Sequence, residues 1–271
     1  MGYATVRKSY YDAPEGEVHY RYLFASAKDP AKAPILFLHM TAVSGRYYEK
    51  LMQRCAEAGH DCYAPDMPGF GSSYDPVDQP AAITYYVDAF MLLTKHANIT
   101  KFHVMGHHTG ASIGAEMAVL YPDRVLSLTV SGPAMLTEEE QIGSREEELV
   151  CFNYPVADGS HVKKTWDFCW GLCGGEPADM HPHILDVMRA YQGRIQAYSC
   201  VFHHDLIKTM GEVKCPVLNL TADEDMLSPF SGRVKEKLPN AVVEKIGGGN
   251  WEPYHDVDNF AKSMLRFIAN L

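Results

Sequence analysis

The chain has 271 residues, of which 46% are apolar, 11% aromatic and 21% charged. That composition excludes a disordered chain, a collagen or coiled-coil repeat and a polytopic membrane protein, because no run approaches the ~20 apolar residues that span a bilayer. The net charge is −10 with no cluster of lysine and arginine, which excludes a nucleic-acid face and disfavours an anionic membrane surface.

Strand signals come first, at 5–11 and 17–25, separated by the turn Ala13-Pro14-Glu15-Gly16. The run Ile35-Leu36-Phe37-Leu38-His39-Met40 is apolar almost throughout, which predicts a strand buried on both faces, as in a parallel sheet. A helix is expected over 46–58, closed by Gly59. A short strand at 61–66 runs into Met67-Pro68-Gly69-Phe70-Gly71-Ser72-Ser73. A helix over 83–97 leads to a strand at 101–105, the turn Gly106-His107-His108-Thr109-Gly110, a helix to 120 and a strand at 125–131. Residues 135–210 break the rhythm: they read as helical, acidic and aromatic, with twelve acidic and only six basic residues. Strand at 216–220, helix at 231–238, strand at 242–246 and a closing helix at 257–271 then resume it. Such alternation predicts an α/β fold with a mostly parallel sheet covered on both faces. The expected organisation is one core, 1–134 with 211–271, and a helical lid or cap insertion, 135–210, over the carboxyl edge of the sheet, where ligands bind in such folds.

The seven cysteines, Cys55, Cys62, Cys151, Cys169, Cys173, Cys200 and Cys215, are odd in number and scattered. They predict no disulfide framework, and with no Cys-x-x-Cys pair they predict no zinc ribbon, although Cys169 and Cys173 stand at i,i+4. Residues 1–8 lack the apolar stretch of a signal peptide, so a reducing, cytoplasmic setting is the expectation.

The strand–turn–helix around 102–120 is the most informative feature. Glycines stand two before and two after His108, the spacing of a sharp turn in which larger residues would collide. It resembles the nucleophile elbow of the α/β-hydrolase fold. Other segments are similar to that family's landmarks in the same order: His39-Met40 at the oxyanion strand, Asp66-Met67-Pro68-Gly69-Phe70-Gly71-Ser72, Pro122-Asp123-Arg124-Val125, Thr221-Ala222-Asp223-Glu224-Asp225 at the acid loop, and Gly247-Gly248-Gly249-Asn250 at the histidine loop. The resemblance implies the α/β-hydrolase fold over essentially the whole chain.

Two departures stand against that pattern. The elbow tip, where the family has Ser, Cys or Asp, is His108, and the position of the family's histidine, ten residues before Phe260, is Asn250. Asp225 matches the acid. A Ser–His–Asp acyl-enzyme needs a hydroxyl beside a base, and neither stands in place here; Ser112 lies one turn into the helix. The expected catalytic set is therefore His108, Asp225 and Asn250, with the backbone N–H groups of Met40 and Thr109 as oxyanion donors. His255 is the alternative position for a displaced base. The helix N-terminus favours a neutral imidazole at His108, whereas a nearby Asp225 carboxylate favours imidazolium. His107 and His39 are read first as packing and loop-organising groups, but both stand near the tip; with His204, Trp166, Trp170 and Tyr191 they complete the candidate substrate contacts. Adjacent histidines are expected to point apart, so no metal and no cofactor is predicted.

The implied activity is hydrolysis of a small, partly apolar or aromatic carbonyl compound (an ester, lactone or 1,3-dicarbonyl) by acid–base chemistry at His108. The missing hydroxyl nucleophile keeps a lyase, decarboxylase or isomerase open. An inactive small-molecule-binding protein is the reading from a different class. The expected partner is a small molecule, with no nucleic acid and no membrane, and a homodimer is left open.

Overall fold

The apolar runs become eight strands of one sheet, ordered β1-β2-β4-β3-β5-β6-β7-β8. They are β1 (Arg7–Ala13), β2 (Gly16–Leu23), β3 (Ile35–Leu38), β4 (Cys62–Pro65), β5 (Phe102–His107), β6 (Val125–Ser131), β7 (Val217–Thr221) and β8 (Val242–Lys245). The structure, a computed structural model, describes residues 5–25, 27, 29–173 and 176–271, with backbone alone at 146–148 and 173. The start of residues 1–8, a solvated face at Glu146-Glu147-Glu148 and the Cys173 side chain thus lie outside what is described. β2 runs antiparallel to β1 and β4, and every pairing from β4 onward is parallel.

β3 explains why a continuous apolar run is needed. Ile35 and Phe37 pack into the core on one face of the sheet, and Leu36 and Leu38 into the core on the other. Successive strand residues point to opposite faces, so a strand covered twice has no polar positions to spare. The helices supply the covers: α1 (Glu49–Glu57), α2 (Thr84–His96) and α3 (Thr109–Leu120), then α4 (Glu138–Glu148), α5 (Ser160–Cys173), α6 (Pro177–Arg189), α7 (Tyr191–Val201) and α8 (Leu206–Glu212) between β6 and β7. α9 (Gly232–Lys237), α10 (Glu252–His255) and α11 (Val257–Ala269) complete the chain. Among the described residues no helix is long and apolar enough to cross a membrane.

Three boundaries differ from expectation. The helix expected from residue 46 begins as a 3-10 turn, Gly45–Tyr48, because the Ser44 hydroxyl accepts from the Arg46 N–H and tightens the entry. The inserted helices run through Glu212, past the expected limit of 210. The closing segment contains α10, a single turn opened by Pro253, whose fixed φ suits a first helical turn.

The insertion is tied down by polar contacts with the core. Ser44 Oγ donates to Asp186 at 2.7 Å, Arg189 pairs with Asp75 at 2.8 Å, and Gly193 of α7 meets the backbone of Gly69. The loop carrying Gly69 is organised in turn by Asp66. This carboxylate, 1% exposed, accepts from His19 Nδ1 at 2.8 Å, the Gly45 N–H at 2.7 Å and the Ser72 N–H at 3.0 Å, with Arg21 at 3.4 Å. Burial opposes its charge, yet His19 and Arg21 outweigh that and hold it below the usual carboxylate range. Asp66→Ala is expected to destabilise by about 3–5 kcal/mol, because Arg21, His19 and the buried Gly45 N–H lose their acceptor. A lower midpoint in urea, with unchanged slope, is the check. The native contribution of Asp66 exists above the unfolded carboxyl value of 3.8 and is lost as pH falls through the lower folded value.

Candidate active site

The site is built where β5 turns into α3. His108 heads α3 with φ 49° and ψ −110°, a region a residue with a side chain rarely enters. Two glycines make the turn possible: a Cβ on Gly106 would overlap the Gly110 carbonyl, and one on Gly110 would overlap the carbonyl of Leu38 in β3. Gly132, at φ +53°, follows β6 and lies so close to the His108 ring and Asp225 that a Cβ there would strike both.

His108 Nε2 lies 3.2 Å from each carboxylate oxygen of Asp225. The Asp225 side chain is wholly buried and that of His108 is 13% exposed. Asp225 also accepts from the Leu227 N–H at 2.8 Å. Burial would raise the Asp225 carboxyl, but the adjacent His108 imidazole and the Leu227 N–H overcome it, and the group is held far below its ordinary value. Against the Asp225 anion Nε2–H is the donor, and in the neutral imidazole it is Nδ1 that carries the lone pair.

Two adjoining cavities share His108, Tyr198 and Met226. The first adds Met40, Thr41, Asn250 and Trp251 from the core, Phe168, Cys169 and Leu172 from α5, and Arg194 from α7. The second adds Thr109, Leu136, Phe202, Leu227 and Phe230. Met40 and Thr109 thus flank His108, one in each cavity wall. Asn250 stands beside His108 as expected, but its role there is a tie: its Oδ1 accepts from the Met226 N–H at 3.0 Å, joining the histidine loop to the acid loop. An amide has no basic nitrogen, so Asn250 cannot serve as the base. His255 does not replace it. That ring stacks near Trp251 and stays off both cavities. Ser112 is fully buried and lines neither.

Five of the expected substrate contacts are placed elsewhere, and His107 lies beneath the floor. His39 is an organiser: its Nδ1 donates to the Met40 carbonyl at 2.8 Å and its Nε2 accepts from the Met67 N–H at 2.9 Å. Burial lowers its pKa and keeps it neutral. His204 bonds Glu116 and Thr209 at 3.0 and 2.9 Å, which ties α8 to α3. Trp166 and Trp170 stack on each other at 5.9 Å and line neither cavity. Tyr191 packs edge-on against Tyr154, whereas Arg194 and Tyr198 of α7 line the cavity. Sequence reasoning missed Arg194, Phe168, Met226 and Trp251. The spacing Arg194, Tyr198, Val201 (i, i+4, i+7) was a readable signal for one inward face of α7.

His107 and His108 do not point apart. Their rings are 4.3 Å between centroids, and a nitrogen of each comes within 4.8 Å of the other and of an Asp225 oxygen. Each imidazole, however, faces its own carboxyl group: His108 faces Asp225, and His107 Nε2 lies 3.1 Å from Glu252 Oε2. In this arrangement the three groups of the cluster, with Glu252, are organised as two imidazole–carboxyl pairs.

The comparisons with known proteins agree with this geometry. The family profile for the alpha/beta hydrolase fold matches residues 33–154. RutD of Caulobacter sp., named for carbamate hydrolysis, is 27% identical over 75% of this chain and 79% of its own. A hydrolase from Pseudomonas aeruginosa superposes with a TM-score of 0.82 at 14% identity, covering 97% of this chain and 98% of that one. The enol-lactonase from Burkholderia xenovorans does so at 0.76 and 16%, covering 96% and 100%. At such identities the two structures speak for the fold.

Proposed function

The chain belongs to the α/β-hydrolase superfamily, and from that premise we propose that it hydrolyses small, partly apolar carbonyl compounds with water activated at His108, without an acyl-enzyme. The observation that carries this reading is the His108–Asp225 pair at the elbow tip, set between two largely apolar cavities. The substrate is an ester, a lactone or, by likeness to RutD, a carbamate, with an apolar arm in each cavity and its carbonyl over the imidazole. The helices of 135–212 act as the cap over it.

In this mechanism His108 Nδ1 takes a proton from water as the oxygen attacks the carbonyl carbon. Backbone N–H groups of Met40 and Thr109 receive the developing oxyanion. Asp225 holds the ring in one tautomer and stabilises the imidazolium that forms. On collapse of the tetrahedral species the imidazolium returns its proton to the leaving oxygen or nitrogen, so water is consumed and the base is regenerated.

A panel of aryl and alkyl esters, γ- and δ-lactones and alkyl carbamates tests the reading, with intact-mass spectrometry of protein quenched during turnover. Consumption of at least one class with no mass added to the chain is expected. No consumption anywhere, or an acyl adduct on the chain, would overturn it.

A further inference from the structure

Behind the site lies a second layer that the mechanism leaves idle. Glu252 opens α10, two residues after Asn250, and its side chain is 0% exposed. His107, also 0% exposed, lies 3.1 Å from it, and the Asp225 carboxylate acts on it as well. Neither carboxyl oxygen of Glu252 and neither nitrogen of His107 makes a well-aligned hydrogen bond. The Tyr47 ring stacks on His107 and contacts Trp251, which closes that side to water. Groups from every side act on this corner: His107 and His108 from the elbow, Asp225 from the loop after β7, Ser131 from β6 and Tyr48 from the turn before α1.

The charge balance decides the protonation. Asp225 is already an anion, held by His108. A second buried carboxylate beside it would need a cation, and the adjacent group is His107. Burial, and next the proximity of His108, hold that imidazole well below its ordinary value. Resting on the reading of His108 and Asp225 as the acid–base pair, we propose that Glu252 is a positioning residue that stands behind Asp225 as a neutral carboxylic acid, so that the buried carboxyl pair carries one negative charge and His108 receives all of it. Burial first, then the Asp225 charge, push the Glu252 carboxyl up to about 9. Above that pH a second anion appears under the site. It over-stabilises the imidazolium, which then returns its proton to the leaving group less readily. Neutral Glu252 therefore sets the alkaline limit of the enzyme.

The test is a carbon-13 NMR titration of carboxyl-labelled glutamate in the whole protein, with Glu252→Gln as the assignment. One resonance is expected to titrate near pH 9 and to vanish in the variant. The amide keeps the shape and neutrality of the acid, so the alkaline limb of kcat/KM on any hydrolysed substrate is expected to move up by at least one pH unit. Wild-type thermal stability is expected to fall from pH 7 to 9, because the unfolded chain releases this proton near 4.5 while the folded chain keeps it; that slope flattens in the variant. A Glu252 resonance titrating below pH 6, an unmoved alkaline limb, or stoichiometric metal in the purified protein would each overturn the proposal. Should the glutamine variant fail to fold, Glu252→Asp supplies the assignment, since it removes the labelled glutamate carboxyl at that position. The titration needs no substrate, so its success beside an inactive panel would sink only the hydrolytic reading.

Discussion

His108→Gln and His108→Ala are each expected to lower kcat/KM by about 10²–10⁴-fold on a hydrolysed substrate, the range for a general acid–base group. Glutamine is the sharper of the two. Its side-chain amide can donate to Asp225 much as Nε2–H does at 3.2 Å, so the contact is kept in kind. What it lacks is the lone pair of Nδ1. If the imidazole served only to fill space or hold Asp225, glutamine would retain activity that alanine loses. Equal losses in both variants mark the ring nitrogen as the base. Thermal stability should fall in the alanine variant, which leaves the buried Asp225 carboxylate without its imidazole partner, and fall less in the glutamine variant, whose amide can still donate to it. Retention of wild-type turnover by both variants would remove His108 from the mechanism.

Asp225→Asn is expected to cost a comparable factor, roughly 10²–10⁴ in kcat, with KM little changed. The isosteric amide keeps the Leu227 N–H bond, which has a length of 2.8 Å. It turns an N–H toward His108, and the imidazole answers by presenting Nε2 as the acceptor. The proton then sits on Nδ1, the nitrogen that must be free. The anion that supports the imidazolium is gone as well. A pH profile separates this from misfolding. Asp225 in the native chain is held far below its usual value, so its stabilising contribution is present above the unfolded value of 3.8 and is lost as pH falls. The asparagine variant should therefore unfold with a shallower dependence on acid. A variant with wild-type kcat would show that the carboxylate is dispensable.

Much of the fold was legible because its signals are local. In β3 no polar residue interrupts Ile35 to Leu38, since both faces are covered, and that demand is visible in four consecutive letters. At the elbow Gly106 and Gly110 are required by overlap with backbone a few ångströms away, so the turn, and with it the place of His108, can be read from spacing. Asp225 was equally legible, since it lies in the loop that follows a buried strand, β7. The helix α10 was not, because a four-residue helix held by its neighbours leaves almost no periodic trace.

The inserted helices mark the other limit. Their aromatic residues drew attention to Trp166 and Trp170, but the cavity takes Phe168, Cys169 and Leu172 from the same helix. Periodicity tells which residues share a face, and only packing against chain far away in sequence tells which face turns inward. The same holds for the histidines: adjacency in sequence suggested divergence, whereas the reversal of the backbone at φ 49° brings the two rings to 4.3 Å.

By itself, then, the sequence determined the sheet, the elbow, the histidine at its tip and the acid that meets it, because each is dictated by burial or by backbone overlap within a few residues. The tertiary structure alone decided which side chains wall the cavity, that Asn250 is a tie rather than a base, and that Glu252 lies buried against His107 beneath Asp225. Those outcomes depend on contacts between segments dozens of residues or more apart, and on the exclusion of water that only the closed packing creates.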